Sequence, residues 1–272
     1  MINAFRFANV TLPLAEFVTI GDVGNAADTT GYGDVSYEYR IARYAISEGD
    51  IATYNAAPVN STRQITLDSR GTDKPATSVS WNEAARYINW LNEKEGEQKA
   101  YRFITEGVND NISLWAVANS WTAGGENRYR HKDTKYYLPS KAEWYKAAYY
   151  KSGGTNAGYW LYPTGADSAP AEVTSGTTTG TAVYNFIGVP ADVTQAGGLS
   201  PYGTMGQGGN VYEWIESAFD GNNNLGSENR WLRGGYWQSG SDELASTNVF
   251  ITNTNPVNEF TLFGFRVAAV PE

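Results

Sequence analysis

Apolar and polar positions follow two different periods along this chain, and the switches between them mark its elements. The stretch AARYINWLNE, residues 84–93, is apolar at helical spacing and follows Ser80 and Glu83. Those two residues stand in the S-x-x-E relation of a capping box, in which each side chain satisfies a backbone amide of the other. The combination predicts a helix over 81–94. Ser140 and Glu143 repeat the spacing ahead of AEWYKAAYY, whose apolar and aromatic face runs through Ala142, Tyr145, Ala148 and Tyr149. A second helix is expected there. A third, shorter one starts between Ser47 and Asp50 and runs into IATYNAA, after SYEYRIARYAI has alternated aromatic and charged residues in the period of a strand. From 152 to 206 Gly, Thr, Ser, Ala and Pro dominate and the periodicity fades, which predicts long surface connections. No internal repeat or low-complexity linker divides the chain. A single α+β domain with few helices and many short strands is expected, with an amino-terminal arm and first strands over 1–34 and the domain body over 35–269.

Composition sharpens this picture. Aromatics make up 14% of the residues and charged residues only 18%, so the core is expected to rest on Trp and Tyr packing. The 20 basic and 29 acidic residues leave a net charge of −9, which repels phosphate backbones and argues against nucleic acid as a partner. The chain has no cysteine, which excludes disulfides, zinc-thiolate sites and thiol nucleophiles. Its one histidine, His131, lies in the charged stretch TAGGENRYRHKDTK, which reads as a solvated face with His131 on the surface. One histidine cannot supply a facial triad for iron. No run is long and apolar enough for a transmembrane span.

Candidate chemistry begins at SPYGTMGQGGNVYEW. Gly208, Gly209 and Asn210 are residue types that tolerate positive φ, so the backbone there can turn sharply and aim its carbonyls at one point. Glu213 follows four residues after Gly209. Carbonyls joined by a carboxylate suit a hard cation such as calcium. The same residues also describe a plain turn in which Glu213 accepts backbone hydrogen bonds.

The ordered set YYLPSKAEWYKAA, SPYGTMGQGGNVYEW, RWLRGGYW and FGFRVA resembles the formylglycine-generating, or sulfatase-modifying-factor, family. SYEYRIARYAIS and SVSWNEAARYINWLNE resemble that family's amino-terminal portions, so the likeness runs from about 35 to 269. It implies a variant of the C-type lectin fold with sparse regular structure. It also implies two calcium sites, one on Asn185, the carbonyl of Phe186, Asp192 and the carbonyl of Thr194, the other on the carbonyls of Gly206, Gly209 and Val211 with Glu213. Oxidising members hold copper on two cysteines after the RGG motif, positions that Ser239 and Leu244 occupy here. Neither is a soft-metal ligand, so oxidase activity is not expected. The adjacent Asp242 and Glu243 leave acid–base chemistry open.

Between Gly235 and Gly264 the chain is rich in Tyr, Trp, Ser, Asn and Thr, which suits an adaptable recognition surface. In relatives diversified by reverse transcription this segment carries the variable ligand-binding residues. The candidate ligand residues are Tyr236, Trp237, Ser239, Asp242, Asn248, Phe250, Asn253, Asn255 and Asn258. The alternative is that the segment merely closes the domain, with Trp237 and Phe250 in the core. The FVTIGDVGNAADTTGYG opening resembles secreted bacterial members, and residues 270–272 resemble the start of a truncated Pro-Glu-Pro sorting signal. The sequons at Asn9, Asn60 and Asn111 permit glycosylation. The expectation is a non-catalytic, calcium-stabilised module outside the cell or on its surface that binds an unidentified glycan or protein. The alternatives are a self-associating structural subunit that donates the apolar arm FRFANVTLPLAEFV as a strand, or an enzyme of unknown reaction.

Overall fold

The computed structural model describes residues 16–186, 188–248 and 252–272. Most of the arm, the sequon at Asn9 and Phe250 therefore lie outside the described residues. In chain order these form β1 (Phe17–Ile20), β2 (Tyr39–Ala42), α1 (Glu48–Ala56), α2 (Trp81–Glu95), β3 (Ser120–Trp121), β4 (Asn127–His131), β5 (Tyr136–Tyr137) and α3 (Lys141–Tyr149). They continue with β6 (Ala171–Glu172), β7 (Thr181–Ala182), β8 (Tyr212–Ala218), β9 (Arg230–Arg233), α4 (Ser241–Leu244), β10 (Thr252–Thr254), β11 (Phe263–Phe265) and β12 (Ala268–Ala269).

All three expected helices are present, and each starts on its capping box. Ser80 Oγ accepts from the Glu83 amide at 3.1 Å while Glu83 Oε2 accepts from the Ser80 amide at 2.8 Å. Gly96, at φ 79°, ends α2 in the left-handed conformation that glycine takes without strain. α2 is buried along its first three turns, so it acts as a core helix. α3 repeats the box through Ser140 and Glu143, and α1 through Ser47 and Asp50.

Two four-stranded sheets flank this core, in the orders β1-β2-β12-β5 and β10-β9-β8-β11. The first is antiparallel throughout, and in the second only β11 runs parallel to its neighbour, β8. Because β1 pairs with β2, residues 17–20 serve as the domain's own first strand. SYEYRIARYAI yields a strand only over Tyr39–Ala42; beyond it the Ile46 amide turns to the carbonyl of Phe265. Among its described residues the connection over 152–206 holds only the short β6–β7 pair and a single 3-10 turn as regular structure.

Aromatic packing dominates the interior, and several of its indoles find carbonyl partners, whereas the buried Trp237 Nε1 has none among the described residues. Trp81 Nε1 donates to the Ile215 carbonyl at 2.9 Å, Trp214 Nε1 to Val79 at 2.8 Å and Trp231 Nε1 to Ala218 at 2.9 Å. The charged stretch around His131 is a correction to the sequence reading. It folds as β4, with Arg130 and His131 buried. His131 sits edge-on to Trp115, with ring centroids 4.6 Å apart, and burial pushes its imidazole below the usual range despite Asp133 nearby. The Asn60 side chain is also buried, and its amide nitrogen donates to the Tyr54 carbonyl, which makes it a poor glycan acceptor.

Candidate functional site

Glu213 lies fully buried on β8, and both carboxylate oxygens are engaged. Arg266 donates from Nη2 to Oε1 at 2.5 Å and from Nε to Oε2 at 2.6 Å, and Trp144 Nε1 donates to Oε2 at 2.7 Å. Arg266 spends its other three N–H groups on the carbonyls of Ala42, Arg43 and Met205, so all five donors of the fork are satisfied. The turn ahead of Glu213 has positive φ at Gly206, Gly209 and Asn210. At Gly209 a Cβ would meet the Val183 carbonyl oxygen at 2.1 Å, so packing as well as φ demands glycine.

A hard cation needs acceptors that are not already in use. The carbonyls of Gly206, Gly209 and Val211 accept no hydrogen bond among the described residues and fit that requirement. Glu213 fits only through what its oxygens retain, because Arg266 already matches its charge. Of the first set of expected ligands only Asp192 has a ligating oxygen engaged, and the bonds made by Asn185 and Phe186 use their nitrogens. Asp192 pairs with Lys74 at 2.9 Å, and Asn185 Nδ2 donates to Glu172 at 2.7 Å. Phe186 donates its amide to the Trp237 carbonyl, and Thr194 sits in the 3-10 turn Val193–Gln195. Among the described residues no three acidic, histidine or cysteine side chains gather as a metal cluster.

The two positions that correspond to copper ligands are filled by inert packing. Ser239 is 1% exposed; its hydroxyl donates to Glu243 Oε2 at 2.9 Å and accepts from the Tyr236 amide at 3.0 Å. Leu244 is fully buried against Tyr162, Ala182 and Tyr184. Tyr212 also donates its hydroxyl to Glu243, which turns that carboxylate inward while Asp242 faces solvent. The adjacent carboxylates therefore do not converge.

The carboxy-terminal candidates divide by burial. Trp237 and Ser239 belong to the interior, which corrects their assignment to a ligand face, and Tyr236 is half-buried on Tyr212 and Trp237. Asp242 and Asn255 are exposed, while Asn248, Asn253 and Asn258 are partly so. Asn253 accepts from Asn229, and Asn258 donates to Thr254. Val257 and Phe260, which sequence reasoning did not single out, are exposed on the same loop.

A model of the sulfatase-modifying factor enzyme 1-like domain matches residues 15–270. The chain belongs to that family. Three solved structures share its fold: Treponema denticola variable protein 1 (19% identity, TM-score 0.59, 94% of this chain and 95% of that one), CarF (20%, 0.61, 95% and 99%) and PvdO from Pseudomonas aeruginosa (19%, 0.53, 94% and 92%). No curated protein matches the chain.

Two features of this sulfatase-modifying-factor-like domain escaped the sequence. One is a buried cluster in which Arg130 bridges Glu143 and Glu216 through contacts of 2.7–3.1 Å. Burial opposes ionisation of Glu143, but Arg130 outweighs it and holds that carboxyl below the usual range; for Glu216 burial wins and the carboxyl is pushed up. The other is a cleft of about 540 Å³ between the residues after β1, the β3–β4 hairpin, the start of α3 and the end of β8. Its walls include Tyr32, Tyr37, Trp121, Phe219 and Trp231. No local motif announces it, because its wall comes from separate segments that only the fold brings together.

Proposed function

We propose that this chain is a non-catalytic binding module on a sulfatase-modifying-factor scaffold, working outside the cell or at its surface. The observation that carries the proposal is the replacement of the paired copper ligands by the hydrogen-bonded Ser239 and the packed Leu244, which leaves the scaffold without an oxygen-activating centre. The external location rests on the resemblance of its opening and its final residues to secreted members. The recognition face is the loop carrying Asn253, Asn255, Val257, Asn258 and Phe260, where amides and exposed apolar groups stand together. That mixture supplies both contact area and adaptable hydrogen bonds for a glycan or protein ligand. Calcium is proposed as a stabilising ion, held by the carbonyls of Gly206, Gly209 and Val211 beside Glu213, where it would add electrostatic cross-linking to the turn and no redox chemistry.

Glycan and extracellular-protein arrays test the loop. A hit should weaken by about 1 kcal/mol or more when Phe260 or Asn255 is cut to alanine, the loss expected of a hot spot. A hit whose affinity is unchanged in both variants would remove the loop as the binding face.

A further inference from the structure

The cleft beside α3 is independent of that loop and has a charged side chain, Lys141, whose ammonium the fold engages only through aromatic faces. Lys141 is 9% exposed, yet its Nζ makes no ion pair or hydrogen bond among the described residues. The ammonium lies 3.1 Å from the ring centroid of Trp231 and 3.5 Å from that of Tyr32, both walls of the cleft. Next to it, the α3 amides of Lys141 and Glu143 are satisfied by Ser217 Oγ and Ser140 Oγ, whereas the Ala142 amide donates to nothing among the described residues. Ala142 also lines the cleft. An amine and a free first-turn amide thus line one cleft at the positive end of a nine-residue helix, an arrangement that favours an anion.

The rest of the cleft describes the body of that anion. Asp34 and Glu126, exposed at the rim, are acceptors with no hydrogen bond or ion pair of their own among the described residues. They disfavour an anion made only of charge and favour a ligand that also presents hydroxyl donors. Tyr37, Trp121 and Phe219 also line the cleft, and aromatic faces suit the C–H face of a saturated ring. The volume of about 540 Å³ lies within the ~300–1,000 Å³ typical of small-molecule sites. We propose that this cleft binds an acidic sugar, with its carboxylate at Lys141 and the Ala142 amide, its ring on the aromatic wall and its hydroxyls toward Asp34 and Glu126.

The charge balance around Lys141 makes the site pH-dependent. Burial, with repulsion from Arg233 as the smaller cause, lowers the Lys141 amine to about 7. The Arg130 guanidinium on the cleft wall is matched by Glu143 and Glu216, and Asp34, Glu126 and Asp220 face the cleft from its rim. Below about pH 7 the free protein carries the ammonium and is ready for a carboxylate; above it, binding must first take up a proton. Affinity should therefore fall as pH rises, approaching tenfold per pH unit.

Isothermal titration of the purified chain with glucuronate, glucose and inorganic sulfate at pH 6 to 9 tests this. Glucuronate is expected to bind at least tenfold more tightly than either glucose or sulfate at pH 6 and to weaken toward pH 9. Lys141→Met, checked for folding by its melting curve, should bring glucuronate down to the level of glucose. If the variant does not fold, the wild-type pH series decides alone. Absence of glucuronate binding, parity with glucose, parity with sulfate, a pH-independent affinity or a folded Lys141→Met that binds glucuronate normally would each overturn the proposal.

Discussion

Arg130 holds a guanidinium where water cannot reach it, so its two carboxylates are part of the core rather than decoration on it. They are not equivalent. Glu143 is held ionised and its contribution is present above the unfolded carboxylate range, then lost as pH falls through its lowered folded value. Glu216 has its folded value raised, so at neutral pH part of its interaction energy is offset by desolvation. Urea denaturation at pH 7 should show Glu143→Gln costing about 3 kcal/mol, as expected for a buried pair that loses one charge. Glu216→Gln should cost less, about 1–2 kcal/mol, from its lost hydrogen bonds. Equal or reversed losses would refute this ranking. The cluster was hidden in the sequence because NRYRHKD looks like a solvated charge run, and nothing local shows that its partners lie 13 and 86 residues away. Glu213 was legible as a key carboxylate; that Arg266 would meet it was not, since 53 residues separate them.

Helices were the legible elements. Each capping box is a three-residue spacing that operates within one turn, so no tertiary information is needed to recognise it. Ser80→Ala should therefore cost about 1 kcal/mol in chemical denaturation, because the Glu83 amide loses its acceptor while Glu83 keeps its bond to the residue-80 amide. A loss indistinguishable from zero would deny the cap its role. The strands were less readable. β5 and β12 are two residues each: Ala268 and Ala269 meet Tyr137 and Tyr136 on one side and Ile41 and Arg40 of β2 on the other, all distant in sequence. Such pairing leaves no period-two signature, which needs four or more residues to show.

At the scale of the whole molecule, the family and its fold were readable from ordered motifs, whereas the exposure of particular side chains was not: Trp237 and Asn255 look alike as candidates and differ entirely in burial. Calcium, if held at the turn before Glu213, acts on the entire folding equilibrium by mass action. At a hundredfold excess over its dissociation constant the ion adds about 2.7 kcal/mol, which moves the melting temperature of a domain this size by several degrees. Chelation should lower the melting temperature and added calcium restore it. Glu213→Gln destabilises the fold in any buffer because it strips Arg266 of its counter-charge, so the informative quantity is the calcium-dependent increment, which that variant should diminish. A wild-type melting curve unmoved by chelator and by calcium, in protein shown free of trapped ion by elemental analysis, would eliminate the site. One further consequence follows from where β12 lies. Ala268 and Ala269 are inserted between β2 and β5 and, among the described residues, are the only link between them in that sheet. A ribosome delivers those residues last among the sheet's strands, so the sheet stays in two separate parts until β12 has emerged. Until then the faces that this sheet covers remain unsealed, and closure of the domain waits on its most carboxy-terminal strand.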